Sequence, residues 1–215
     1  MTNKKKINKS VFLFFLLSFT WALPTTILGA LVSLVLIATG RKPKKFGPCW
    51  RIPTKNNYGL ELGLFFVASD NSPYTLKCHE VGHHLQACFL FGPLTLFFAF
   101  IPSVVRFWLR EQKTQKRKKI YSSIVSFVPM VIFSCFVVLG IAFSIWSLVV
   151  VFSILVIYMA FMAYWLFRVE IPKYERKPYP IYDDFIIEYD ASKRGRLFID
   201  KNYPEEAKNI SYDKV

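Results

Sequence analysis

Histidine is almost missing from this chain of 215 residues: there are three, and all fall in one stretch, "KCHEVGHHLQAC", residues 77–88. Acid is scarce as well, with 14 Asp and Glu against 28 Lys and Arg and a net charge of +14. The four cysteines, Cys49, Cys78, Cys88 and Cys135, form no C-x-x-C pair and no disulfide spacing. That argues against a thiolate zinc ribbon and against a disulfide framework, and it fits a reducing compartment. Cys88 and Cys135 lie in apolar runs and read as small core residues. Cys78 adjoins His79 but points about 100° away from it on a helix, so it reads as packing rather than as a ligand. Charge itself is absent from long stretches: 11–39 contains none, and 120–167 is essentially bare of it.

What fills those stretches is hydrocarbon. The chain is 53% hydrophobic with 22 phenylalanines, and its basic residues sit in blocks between the apolar runs. Integral membrane proteins have this pattern, with basic loops kept on the cytoplasmic side and drawn to anionic headgroups. A nucleic-acid binder instead interleaves basic and aromatic residues on one surface. Membrane lipids are therefore expected as partners and nucleic acid is not. The expected fold is mostly α: a helical integral membrane protein with a small zincin-like α(+β) portion around the histidines.

A basic lead, 1–9, precedes a Pro-broken membrane segment, 10–40. Its apolar run outlasts the core of a secretory signal and reads as an anchor, with Pro24 and Gly29 breaking it near the middle. Residues 41–72 hold a basic loop and "YGLELGLFFVAS" (58–69), a candidate edge strand. The histidine helix occupies 73–91, with Ser72 as N-cap, Pro73 in the first turn and Gly92-Pro93 as the stop. There follow an apolar membrane segment, 92–109; a basic loop, 110–119; a transmembrane helical hairpin, 120–168, turning near Gly140; and a polar tail, 169–215. The lead, both loops and the start of the tail are all basic, so the positive-inside rule prefers that each apolar stretch enters and returns. On that reading 10–40 and 87–109 are re-entrant pairs, which are tolerated only when buried against protein. The histidine helix then lies on the cytoplasmic side of a multi-pass protein of the cell (inner) membrane. Two simple spans would put it outside.

His79-Glu80-Val81-Gly82-His83 has the pattern H-E-x-x-H. On a helix, positions i and i+4 share a face with side chains about 6 Å apart, and two imidazoles there reach one zinc ion at about 2.0–2.1 Å. Glu80 cannot bind the same ion end-on, but it reaches a water polarised by it, takes its proton and passes a proton to a leaving amine. Leu76, Val81, Leu85 and Phe89 form an apolar face that would bury the segment. Gly82 permits close approach of another backbone. Catalytic zinc takes three protein ligands and leaves a position open. His84 points about 100° from His83 and does not easily join it, so the third ligand is a carboxylate or, less readily, a thiolate. The segment "IYDDFIIEYDASKRG" (181–195) offers Asp184, Glu188 and Asp190, among which position alone does not choose. Asp183 or Asp184 can cap a short helix there, and Gly195 can end it. The plainer readings are a helix with solvent-facing His and Glu, and acids that only neutralise nearby lysines.

H-E-V-G-H, then a hydrophobic hairpin, then Glu188-Tyr189-Asp190-Ala191 resembles the membrane zinc metallopeptidases that include the CaaX prenyl endopeptidase and its bacterial heat-shock relatives. The resemblance implies Glu188 as third ligand of one zinc ion, and hydrolysis of a peptide or protein substrate. Ser192 stands where that family's pattern has Asp, which leaves Asp190 or Asp184 to compensate around the metal. A closer likeness, carried by Gln86, Gly92-Pro93-Leu94, Ile101-Pro102-Ser103, Arg106 and Trp21-Ala22-Leu23-Pro24, is to uncharacterised bacterial membrane proteins with H-E-x-G-H-x-x-Q; it implies no activity. The intramembrane site-two proteases share H-E-x-G-H and an alanine at Ala87, but their ligand aspartate lies in a later apolar segment, and no acid interrupts 120–167.

The leading expectation is thus a zinc-dependent membrane peptidase with His79, His83 and Glu188 on the metal and Glu80 as general base. Tyr182, Tyr189 and Arg194 are candidates to stabilise an oxyanion, and strand 58–67 is a candidate to pair with an extended substrate. Against it stand a non-catalytic membrane protein with a structural metal site, and a transporter or lipid binder with an accidental motif. The near absence of charge in the spanning segments counts against the transporter. Oligomeric state is open.

Overall fold

The computed structural model describes residues 8–55, 59–176 and 185–208. The chain divides into two compact units, Met1–Ala99 with Tyr182–Val215, and Phe100–Ile181.

The first unit is built on a four-stranded sheet, which the sequence reading underestimated. Its strands are β1 (Lys44–Phe46), β2 (Cys49–Thr54), β3 (Leu60–Leu62) and β4 (Phe65–Ser69), in the order β1-β2-β4-β3. β1–β2 and β3–β4 are antiparallel, while β2 runs parallel to β4 with Trp50 opposite Phe65 and Thr54 opposite Ser69. The expected single edge strand over 58–69 is therefore two: it reverses at Gly63, leaving β3 at the edge and β4 inside. The "basic loop" after residue 41 is itself the β1–β2 hairpin. Strand periodicity placed both faces of β4 under cover. Phe66 and Ala68 pack towards Cys78, Val81 and Leu85 of α3 (Tyr74–Gln86) and Ile199 of α8 (Ile186–Asn202), while Val67 joins Ile52 and Leu62 beneath Val32 and Leu36 of α2 (Leu23–Ala38). With side chains alternating between faces, the sheet separates α2 from α3 and α8.

The 11–39 run is α1 (Lys9–Ser18) and α2, bent by 77°. The bend lies at Phe19–Ala22, before the expected place: Pro24 sits in the first turn of α2, where its missing N–H costs nothing, and Gly29 lies inside α2. α3 starts at Tyr74 with extended Pro73 at its cap, so Ser72 falls one position outside, its buried hydroxyl without a partner among the described residues. Past Gln86 the helix widens through Ala87–Phe91, as far as Gly92. The wider turn shifts the facing of later side chains, and Phe89, expected in the buried face, is exposed.

In the second unit α5 (Gln115–Ala142) and α6 (Trp146–Trp165) form the expected hairpin, turning at 143–145, and both are long and apolar enough to cross a membrane. Cys135 lies exposed on α5 rather than in a core, because the hairpin presents most of its apolar surface outward. The expected apolar segment 92–109 yields α4 (Ile101–Glu111), and the basic block 110–119 runs from the end of α4 into the start of α5. Cations there oppose the helix dipole, but Lys118 turns back to the carbonyls ending α4, with Nζ 2.9 Å from Leu109 O. Beyond α6 the "polar tail" is helical: α7 (Ile171–Arg176), α8 and α9 (Pro204–Lys208).

Candidate metal centre

Two helices carry the site, and they meet where neither has a side chain to keep the other away. A Cβ on Gly82 of α3 would lie 1.9 Å from Ala191 O of α8, and one on Gly195 of α8 would lie 1.8 Å from Cys78 O. Gly195 therefore does not end the helix, as its sequence position suggested; it is the second half of a close crossing. The crossing sets Glu188, one turn before Ala191, against the His79–His83 face.

The three side chains converge. His79 Nε2 and His83 Nε2 are 3.0 Å apart, and Glu188 Oε2 is 3.0 Å from the first and 3.2 Å from the second. Ligands about 2.0–2.1 Å from a tetrahedral ion stand about 3.3 Å apart, so the spacing suits a small divalent ion. The donor chemistry suits one too. His83 Nδ1 donates to Gln86 Oε1 at 3.0 Å, so in the neutral ring Nε2 carries a bare lone pair aimed at another imidazole nitrogen and a carboxylate. With both Nε2 atoms unprotonated, the three lone pairs turned on one point are a donor set for a cation. His79, His83 and Glu188 together could hold such an ion. Glu188 is fully buried, and His79 nearly so.

The outer ring of contacts answers the question raised by Ser192. Its hydroxyl is 2.8 Å from His79 Nδ1, so the serine itself holds that ring. Gln86 holds the other ring and is anchored in turn, donating to Ile187 O at 2.7 Å and Asp190 Oδ2 at 2.9 Å. Asp190 thus reaches the site only through Gln86, and Arg194 closes on Asp190 at 2.6 Å. Fixing the second nitrogen of a ligand histidine sets its tautomer and orientation. Tyr189 is exposed on α8. Asp184 and Tyr182 lie outside the described residues.

Glu80 is buried beside the triad, with Gly59 against its carboxyl: a Cβ on Gly59 would meet Oε1 at 2.0 Å. Burial pushes the Glu80 pKa up to about 7, against the pull of His79 and His83.

His84, set aside from the metal on helical geometry, turns the other way. It is fully buried, with Nδ1 3.1 Å from Glu61 Oε1 of β3 and Nε2 2.8 Å from Ser18 Oγ of α1. The Ser18 hydroxyl donates to Phe14 O at 2.7 Å, so both His84 nitrogens act as donors and the ring is an imidazolium paired with Glu61. Burial works against that charge, but the contacts with Cys88 and Glu61 outweigh it and raise the pKa to about 9.

Gln86 and Ser192 were legible in principle, since each lies within one turn of a ligand on the same helix face. Glu61, Ser18 and Gly59 carried no local signal. No family model, no curated protein and no solved structure matches the chain.

Proposed function

We propose that the protein is a membrane-bound, zinc-dependent peptidase. One observation carries this reading: two imidazole nitrogens and a buried carboxylate oxygen lie within 3.0–3.2 Å of one another, with Glu80 buried on the same helix as the two histidines. Three protein ligands are the number typical of catalytic rather than structural zinc. A divalent ion, when bound, polarises a carbonyl and makes water acidic near neutral pH. His79, His83 and Glu188 hold it, while Ser192 and Gln86 keep the two rings facing inward. Glu80 takes the proton of the attacking water and returns one to the leaving amine. β3, the last strand of the sheet and next to Gly59, is where an extended peptide would pair. The likeness of H-E-V-G-H and Glu188-Tyr189-Asp190-Ala191 to the membrane zinc metallopeptidases supports the same reading. So does the α5–α6 hairpin, which in this reading crosses the cell membrane.

Zinc content and peptide hydrolysis are measured on the wild type, His83→Ala and Glu80→Gln. The expected result is one zinc per chain in the wild type and Glu80→Gln, none in His83→Ala, and hydrolysis in the wild type only, with Glu80→Gln down by about 10²–10⁴. Equal zinc in all three would remove the site. Metal without any hydrolysis in the wild type would leave a structural ion joining α3 to α8.

A further inference from the structure

The bent pair α1–α2 poses a problem of its own, independent of any metal. Its outward surface is almost wholly apolar, with Phe12, Phe19, Ile27, Leu31 and Leu34 all exposed. Yet neither helix alone is among the described helices long and apolar enough to cross a bilayer, and the two are bent by 77°. Its ends are tied to one polar body. Before α1, Asn8 Nδ2 donates to Asn202 Oδ1 of α8, and Ser10 Oγ donates to the same oxygen at 3.1 Å. After α2, Arg41 Nη1 donates to Pro53 O of β2 at 2.7 Å. α8 and the sheet are themselves packed together, Ile199 and Tyr203 lying against Phe46 and Cys49. Were α1–α2 to cross a membrane, this body would have to pass through hydrocarbon with it. Its sheet ends in the edge strands β1 and β3 and carries Lys44 and Lys45, with Asp70 just past β4, and open sheet edges do not occur in lipid.

The bend is finished for a place without water. Thr26 Oγ1 donates to Ser18 O at 3.0 Å and Thr25 Oγ1 to Ala22 O at 2.8 Å, while Thr20 Oγ1 takes Leu16 O at 2.8 Å. Leu17 O and Thr20 O accept from the N–H groups of Ala22 and Leu23. Hydroxyl side chains that re-satisfy carbonyls freed at a break are the means by which broken helices persist in membranes. On its inner side the bend is sealed by protein, Ala22 packing on Ala87 and Cys88. At both ends stand exposed cations, Lys9 opening the first helix and Lys42 and Lys45 after the second, with Lys44 beside them paired to Asp70.

We propose that α1–α2 is a re-entrant elbow seated in one leaflet of an anionic membrane. The acyl chains cover its apolar face, and the cations at its two ends meet headgroups of that same leaflet.

Sidedness and contact are tested on the full chain in a Cys135→Ser background, since the other three cysteines are buried. Lys9→Cys and Lys42→Cys are treated with a membrane-impermeant maleimide in sealed cells and in inverted vesicles. Both are expected to react from one and the same side; reaction from opposite sides overturns the proposal. Spin labels at Phe19→Cys and, separately, Leu31→Cys are then read in phosphatidylglycerol–phosphatidylethanolamine vesicles. The expected result at both sites is collision with oxygen exceeding collision with a water-soluble nickel complex. Dominant nickel collision means the elbow stands in water. Little collision with either means that protein, such as a second copy of this chain, covers it. Either outcome overturns the lipid assignment, and with two label sites one perturbed variant does not decide it.

Discussion

His83 and His84 are neighbours in the chain and have opposite fates. His83 turns to α8, where its Nε2 meets a second imidazole nitrogen and a carboxylate oxygen, three atoms able to share one ion. His84 turns to α1 and β3, where every polar atom has a proton or an acceptor waiting. The first face gathers three potential ligand atoms at one point; the second spreads its contacts over a carboxylate and a hydroxyl on different elements. His84 is wholly buried and His83 largely covered, so burial alone does not distinguish a binding site from a structural tie. The meeting of ligand atoms at one point does.

The largest effect that would break this contrast is on metal itself. Glu188→Ala should take the zinc content from one per chain to none, whereas Glu61→Ala should leave it at one, both by elemental analysis of purified protein. Loss in both would merge the two faces into one site. Next in size is stability. Glu61→Leu leaves a buried imidazolium without its partner and should cost about 3–5 kcal/mol, read from the denaturation midpoint in detergent. The double variant Glu61→Leu/His84→Leu should recover much of it, because removing both members of a buried pair is far cheaper than removing one. Gly82→Ala forces a Cβ against Ala191 O, 1.9 Å away. It should destabilise by about 1–3 kcal/mol and also weaken zinc binding, although it touches no ligand atom. Unchanged affinity would show that the crossing does not set the triad. The smallest effects belong to the outer contacts. Ser192→Ala and Gln86→Leu should each lower metal affinity by roughly 10–100-fold, measured by chelator competition, with Gln86→Leu the worse because it also frees Asp190.

The spacing of His79 and His83 and the acids downstream were readable because they obey the period of one helix, and the apolar runs because hydropathy needs no partner to be seen. The sheet was less readable. β2 mixes Arg51 and Pro53 into a basic stretch, and its regularity comes from pairing with β4 across the intervening β3. Gly195 read as a stop because glycine commonly ends helices. Here it continues one, since the neighbouring helix needs the space.

From the sequence alone came the elements that depend on local order: the H-E-x-x-H face, the uncharged hairpin, the basic blocks, and a short set of acids able to complete a metal site. Glu188 was named through a resemblance of motifs, but its seating against the two rings, the holding of Asp190 by Gln86, the use of Ser192 and Gln86 to hold the rings, and the pairing of His84 with Glu61 and Ser18 were decided only in three dimensions. Each depends on two segments far apart in the chain meeting at hydrogen-bond distance. That distance was set by the approach of α3 to α8 over Gly82 and Gly195, which no single stretch of residues contains.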